Sequence, residues 1–207
     1  MILPAFAKLP IFAGLLVLLA GCVDADLDVK LTSTTTASAT LIQVMNAQFY
    51  SMIKPPATKI DPSGQTEQGP EIQHFCADGT LTQSTDGSAT CLITASGPFA
   101  GLALGKHQKL LSFAPAGAGL VRVAFDTGGL LAETGASFAH DEETEQMNQS
   151  VFSGHTLTLH FSGLEVIDTN MTLSDDKTSA VQAIQFLEII NGTAKLPKQL
   201  FAVIRVK

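Results

Sequence analysis

The chain has 207 residues, is 45% apolar and only 15% charged, and sets 19 acidic side chains against 12 Lys and Arg, for a formal net charge of -7. That length and apolar content fit one domain with a sizeable core. The acidic balance speaks against nucleic acid, which calls for basic patches, and against electrostatic adhesion to anionic lipid.

Residues 1–21 have the architecture of a secretory signal. Lys8 and the free amino group give a weakly positive start, an apolar run follows from Leu9 to Ala20, and small residues precede Cys22. The run is shorter than the ~20 apolar residues of a membrane span, and Pro10 weakens a permanent helix further. Leu19-Ala20-Gly21-Cys22 resembles the lipobox of bacterial lipoproteins. There, small residues let a peptidase reach the bond before the Cys, and the thiol carries a diacylglycerol. The alternative is an ordinary secretory signal with an incidental Cys. The lipobox makes Cys22 the lipidated first residue of a single mature domain, residues 22–207, on the extracytoplasmic, periplasmic side of a bacterial cell envelope. Two or more acyl chains anchor a protein stably, so the lipid supplies the membrane attachment and no transmembrane helix is expected elsewhere. Val23, in place of Asp, favours the outer membrane under the enterobacterial sorting rule.

From Asp24 to Leu31 acidic or basic residues alternate with apolar ones, the period of a strand with one wet and one buried face. Ser33 to Thr36 is a turn. Ala37 to Ile53 is ambiguous: Leu41, Met45, Phe49 and Met52 fit one helical face, and Leu41 and Met45 also fit a strand paired back onto the first. The favoured reading is a strand to about Met45, then a short helix from Asn46 to Lys54, ended by Pro55-Pro56. Residues 54–70 are Pro, Gly and polar residues, an exposed loop. Two cysteines remain, Cys76 and Cys91, with the turn signals Asp78-Gly79 and Asp86-Gly87 between them. In an oxidising compartment such a pair reads as a disulfide across or beside a hairpin. The alternatives are two free thiols or a metal pair, and the spacing is not that of CxxC.

Lys109 to Ala114 and Gly119 to Asp126 read as a hairpin. His140 to Ser153 begins with acids, which suit the positive end of a helix dipole, and carries Met147, Val151 and Phe152 at helical spacing; Gly154 ends it. His155 to Phe161 is a strand, Gly163 breaks it, and Leu164 to Ile167 begins another. Asp175 to Lys177 is a turn, Ser179 to Ile190 fits either helix or strand, and Leu200 to Val206 is a final strand. The sum is α+β: a mainly antiparallel sheet of about seven to nine strands with about two short helices.

The five histidines invite a metal site. His155 and His160 sit on one expected strand at an odd separation, which puts them on opposite faces. His140-Asp141-Glu142-Glu143 has ligand residue types, but a solvated helix start accounts for it. His74 and His107 are isolated. The chain has no G-x-S-x-G, no Walker loop, no GxGxxG after a strand and no HExxH. No catalytic residue, metal ligand or cofactor is assigned. Asn148, Asn170 and Asn191 match a glycosylation pattern, by chance in a bacterial lipoprotein. Two turn-rich segments, Phe99 to Gly105 and Leu187 to Pro197, are unusually greasy. Either they close the core, or a curved sheet leaves a lipid-sized apolar pocket there.

The Cys22 lipobox, the acidic strand DADLDVKL directly after it, the Thr/Ser turn and the second strand together resemble the LppM-domain lipoproteins. HTLTLHFSGLEVIDTNMTLSDDKTSAVQAIQF, residues 155–186, is similar to that family's strand, turn and strand pattern, carried here by Gly163, Val166, Thr169 and Asn170. The departures are Met171 where the family has Gly, no Trp after it, and no C-terminal membrane helix. The resemblance implies an α+β fold and a surface role with lipid or glycolipid binding, and no catalytic residues. The expectation is a non-enzymatic, lipid-anchored envelope protein binding a lipid or glycolipid. A module docking an envelope protein partner is the alternative. An enzyme built on His140 and nearby acids would need His140, Asp141 and another His to converge.

Overall fold

Strand β1 (Val23–Leu31) carries a wet row, Asp24, Asp26, Asp28 and Lys30, and a dry row, Ala25, Leu27, Val29 and Leu31. In the computed structural model, which describes residues 23–53, 75–76, 78–102, 104, 109–134 and 142–206, the dry row is buried and β1 is hydrogen-bonded along both edges. On one edge β2 (Thr36–Met45) runs antiparallel, from Val23 opposite Met45 to Leu31 opposite Ala37. On the other, β7 (Thr156–Ser162) runs parallel, with Leu27 opposite Leu159. A hairpin would impose the antiparallel direction; the long connection from β1 to β7 leaves it free.

β3 (Thr80–Gln83), β4 (Ala89–Pro98), β9 (Thr172–Leu173) and β10 (Ser179–Gln185) complete a seven-stranded sheet in the order β3-β4-β2-β1-β7-β10-β9. A second sheet joins β5 (Leu111–Gly117), β6 (Leu120–Asp126), β8 (Glu165–Thr169) and β11 (Gln199–Arg205) in the order β5-β6-β11-β8. The dry rows of both sheets enter one core: Leu27, Val29, Leu159 and Phe161 from the first, Val121, Val123, Leu200 and Ile204 from the second.

This is the expected α+β class, mainly antiparallel and built as one domain. Among the described residues it has eleven strands and four α-helices, more than the sequence suggests. α1 (Ala47–Ile53) and α3 (Glu142–Phe152) are the two expected helices. Asn46 starts α1 by accepting the Phe49 N–H on its side-chain oxygen at 3.0 Å. Gly154, at φ 83°, follows α3 and turns the chain into β7.

α2 (Thr127–Thr134) is new. Its Gly128-Gly129 pair is a poor helix former, and the tertiary setting overrides that. Asp126 accepts the Gly129 N–H at 3.0 Å, and Thr127 is fully buried and bonds the Pro197 carbonyl. A Cβ at Gly129 would lie 2.8 Å from the Asp126 carboxylate, so the glycine makes this cap fit. The ambiguous stretch from Ser179 to Ile190 is both things in turn, β10 and then α4 (Phe186–Ile190). Gly192, at φ 65°, closes α4. The loop expected over residues 54–70 and residues 1–21 lie outside the described residues. No described helix is long and apolar enough to cross a membrane.

Cys76 and Cys91 are bonded, with Cα atoms 5.4 Å apart. The bridge ties Phe75 and Cys76 to the buried side of β4, where Phe75 meets Tyr50 edge-on at 6.4 Å between ring centroids. Gly79 passes so close that a Cβ there would sit 2.9 Å from Cys91 Sγ. Asp86-Gly87 makes the β3–β4 turn, with Gly87 at φ 87° and the Ser88 N–H on the Asp86 carboxylate at 2.9 Å. For a bridge spanning 15 residues, the double variant Cys76→Ala/Cys91→Ala is expected to unfold at lower denaturant, losing about 2–4 kcal/mol. An unchanged midpoint would show that the bridge does not constrain the unfolded chain.

Candidate functional site

The greasy segment from Phe99 to Gly105 begins where β4 leaves its sheet. Gly97 takes φ 136°, Pro98 has no N–H to continue a ladder, and Phe99–Gly101 coil into one 3-10 turn. Leu102 and Leu104 then turn into the core and are almost fully buried. From the second sheet, its edge strand β5 brings Leu111 and Phe113 to the same place. Phe99 and Phe113 stack face to face, centroids 4.3 Å apart and planes within 7°. Such a pair contributes about 0.5–1.5 kcal/mol beyond its buried area.

Between these walls lies a cleft of about 390 Å3, lined by Phe99, Ala100, Leu102, Leu104, Leu111, Ser112 and Phe113. None of these side chains is charged. The other greasy segment, from Leu187 to Pro197, does not line this cleft. It is all of α4 but Phe186, together with the turn after it, and Ile189 and Ile190 are buried in the core. One greasy segment therefore borders a cavity and the other closes the core.

The outer row of β1 and β7 is polar. The Asp24 carboxylate accepts the Thr156 N–H at 3.0 Å and lies 3.2 Å from His155 Nδ1. The Asp26 carboxylate lies 3.5 Å from His160 Nε2. The odd separation of the two histidines suggested opposite faces, and that is corrected here. His155 precedes the first residue of β7, so the strand's alternation does not govern it, and both rings meet the same row of carboxylates. Among the described residues no three His, Cys, Asp or Glu side chains are grouped to hold a metal ion. His74, His107, His140 and Asp141 lie outside the described residues, as does Cys22.

The residues that carry the LppM resemblance form a structural joint. Gly163 is where the chain passes from the first sheet to the second, and a methyl there would overlap Ile204 of β11. Val166 is buried. Thr169 donates its hydroxyl to the Phe201 carbonyl at 2.7 Å. The Asn170 amide donates to the Gln199 carbonyl at 2.9 Å and accepts the Phe201 N–H at 2.8 Å, pairing with β11 as a strand would. The pattern thus fixes how the sheets join, and none of its four residues lines the cleft. Asn148, one of the three glycosylation matches, is buried in α3.

An α+β domain of two joined sheets, with a cleft at their edge whose described side chains are uncharged, is the class that the coordinates define. Comparison with solved structures finds similarity to the NMR structure of the folded domain of LppM from Mycobacterium tuberculosis: 12% identity, 89% of this chain and 90% of that chain covered, TM-score 0.44. No family model matches the chain, and no curated protein matches it.

Asp28, on the same wet row, has its carboxyl pushed above the usual range. Its side chain is exposed by area, yet partial burial on the sheet is the largest cause, and Asp26 adds repulsion. His160 and Lys30 pull the other way. A carboxyl with a raised folded pKa holds its proton more tightly when folded, so its contribution favours folding in acid and is lost as pH rises through that pKa. Asp28→Asn is therefore expected to melt above the wild type at neutral pH and level with it in acid, the gap being small because solvent screens the site. A variant that melts lower at neutral pH would refute this.

Proposed function

We propose that this chain is a non-enzymatic lipoprotein of a bacterial cell envelope, held by lipid on Cys22 at the extracytoplasmic side of the membrane, the outer one given Val23. In this reading the domain holds the apolar part of a lipid or glycolipid in the cleft beside Phe99 and Phe113. The observation that carries it is the cleft's make-up. Its volume of about 390 Å3 is at the small end of the roughly 300–1,000 Å3 of ligand pockets, a size for one apolar chain. Its lining joins aromatic and aliphatic side chains to Ser112 and a substantial polar surface. Binding would be driven by apolar area leaving water, at about 25 cal/mol per Å2.

A soluble form beginning at Val23, exported to an oxidising periplasm and purified without detergent, is expected to release a stoichiometric lipid into organic solvent, read by mass spectrometry. Ala100 is exposed on the cleft wall, so Ala100→Trp should fill the space from outside and cut the lipid content severalfold without lowering the melting temperature. A folded wild-type domain that yields no lipid sinks the reading.

A second reading, a module that docks an envelope protein, draws on the outer face of the first sheet. There Ile42 sits opposite Leu92 with Val44 two residues along, and the three are 37%, 40% and 36% exposed. Apolar side chains grouped on a wet face mark contact surfaces. Under this reading Ile42→Lys/Leu92→Lys abolishes co-purification of a partner from envelope extracts while leaving the lipid content unchanged; retained co-purification counts against it.

A further inference from the structure

Resting on the anchored, lipid-holding reading above, we infer that the cleft lies at the end of the domain opposite the anchor and takes its apolar chain from a facing lipid surface, not from the leaflet that holds Cys22. Strand register carries this. Cys22 directly precedes Val23, the first residue of β1, so the anchored end of the domain is the start of that strand. At this end Val23 pairs with Met45, and Met45 with Ala89.

β1 then runs from Val23 to Leu31, which at about 3.3 Å per residue is roughly 27 Å of extended chain. β4 runs in the same direction, from Ala89 at the anchored end to Pro98 at the far end, where Thr36 is its partner. The Phe99 N–H donates to the Thr35 carbonyl at 3.1 Å, which fixes the start of the cleft beside the β1–β2 turn. Phe113 stacks on Phe99 and so brings the second wall to that same end.

That span is nearly the ~30 Å hydrocarbon thickness of a bilayer. A lipid resting in the anchoring leaflet would have to leave it entirely and climb the length of the sheet to enter. A lipid in a membrane facing the domain would meet the cleft first. The described side chains lining the cleft are uncharged, which fits an acyl chain presented tail-first with the headgroup left outside.

The test uses the full mature protein, lipidated at Cys22, in vesicles of phosphatidylethanolamine and phosphatidylglycerol. A phospholipid with a photoreactive acyl chain is placed either in those vesicles or in a second, protein-free population of the same composition. After irradiation, peptides containing Phe99 and Phe113 are scored by mass spectrometry. The expected result is severalfold more label from the second population than from the protein's own vesicles, lost in Ala100→Trp. Equal label from both, or more from the protein's own vesicles, overturns the inference and leaves the lipid-holding reading standing. No label on those peptides from either source overturns both.

Discussion

Everything in this molecule is arranged around β1. It is bonded on one edge to β2 and on the other to β7, and its dry row packs at the middle of the core. Because the strand has a strict period of two, that burial commits Asp24, Asp26 and Asp28 to the opposite face. A slip of one residue in register would bury three carboxylates, at a cost no small domain could absorb. The same constraint sets the chemistry of the outer face. It explains why His155 and His160, far along the chain, find acids waiting for them.

The second sheet attaches at one joint. The chain crosses between sheets at Gly163, where no side chain fits beside Ile204. β8 then docks on β11 through backbone bonds, and Asn170 extends the pairing with its side chain. Residues that look like a functional signature in the sequence are thus engaged in assembly. A glycine that permits close approach and an asparagine that imitates a strand are needed for geometry. The cleft is a product of that geometry: β4 and β5 belong to different sheets, and the gap at their ends stays partly open because Phe99 and Phe113 stack on each other instead of filling it.

On the wet face of the first sheet charged and apolar side chains adjoin, Ile42 lying opposite Asp26. That face carries the carboxylates and both histidine contacts, whereas none of the described side chains lining the cleft is charged. An acidic outer face would repel an anionic bilayer, and the proposal therefore assigns membrane attachment to lipid on Cys22. The disulfide holds the segment at Cys76 against β4 near that strand's Ala89 end.

Local pattern was enough for much of this. The alternation in β1, the turn at Ser33 to Thr36 and the turn signal Asp86-Gly87 are short-range signals, each legible because its cause lies within a few residues. Cys76 and Cys91 were legible as a pair from cysteine count and compartment. The greasiness of Phe99 to Gly105 was also legible. What that segment faces was not, since Leu111 and Phe113 come from another sheet, and it took the tertiary arrangement to separate it from the equally greasy stretch at Leu187, which closes the core. Tertiary contacts also made a helix of Thr127 to Thr134 against its glycines, through Asp126 and the buried Thr127, and set β1 and β7 parallel. They brought His155 onto the face of His160, which counting along a strand could not do for a residue that precedes the strand. Sequence fixes periods, caps and turns because these are local free-energy choices; which rows meet, and what space is left where they do not, depends on packing between segments that the order of residues leaves far apart.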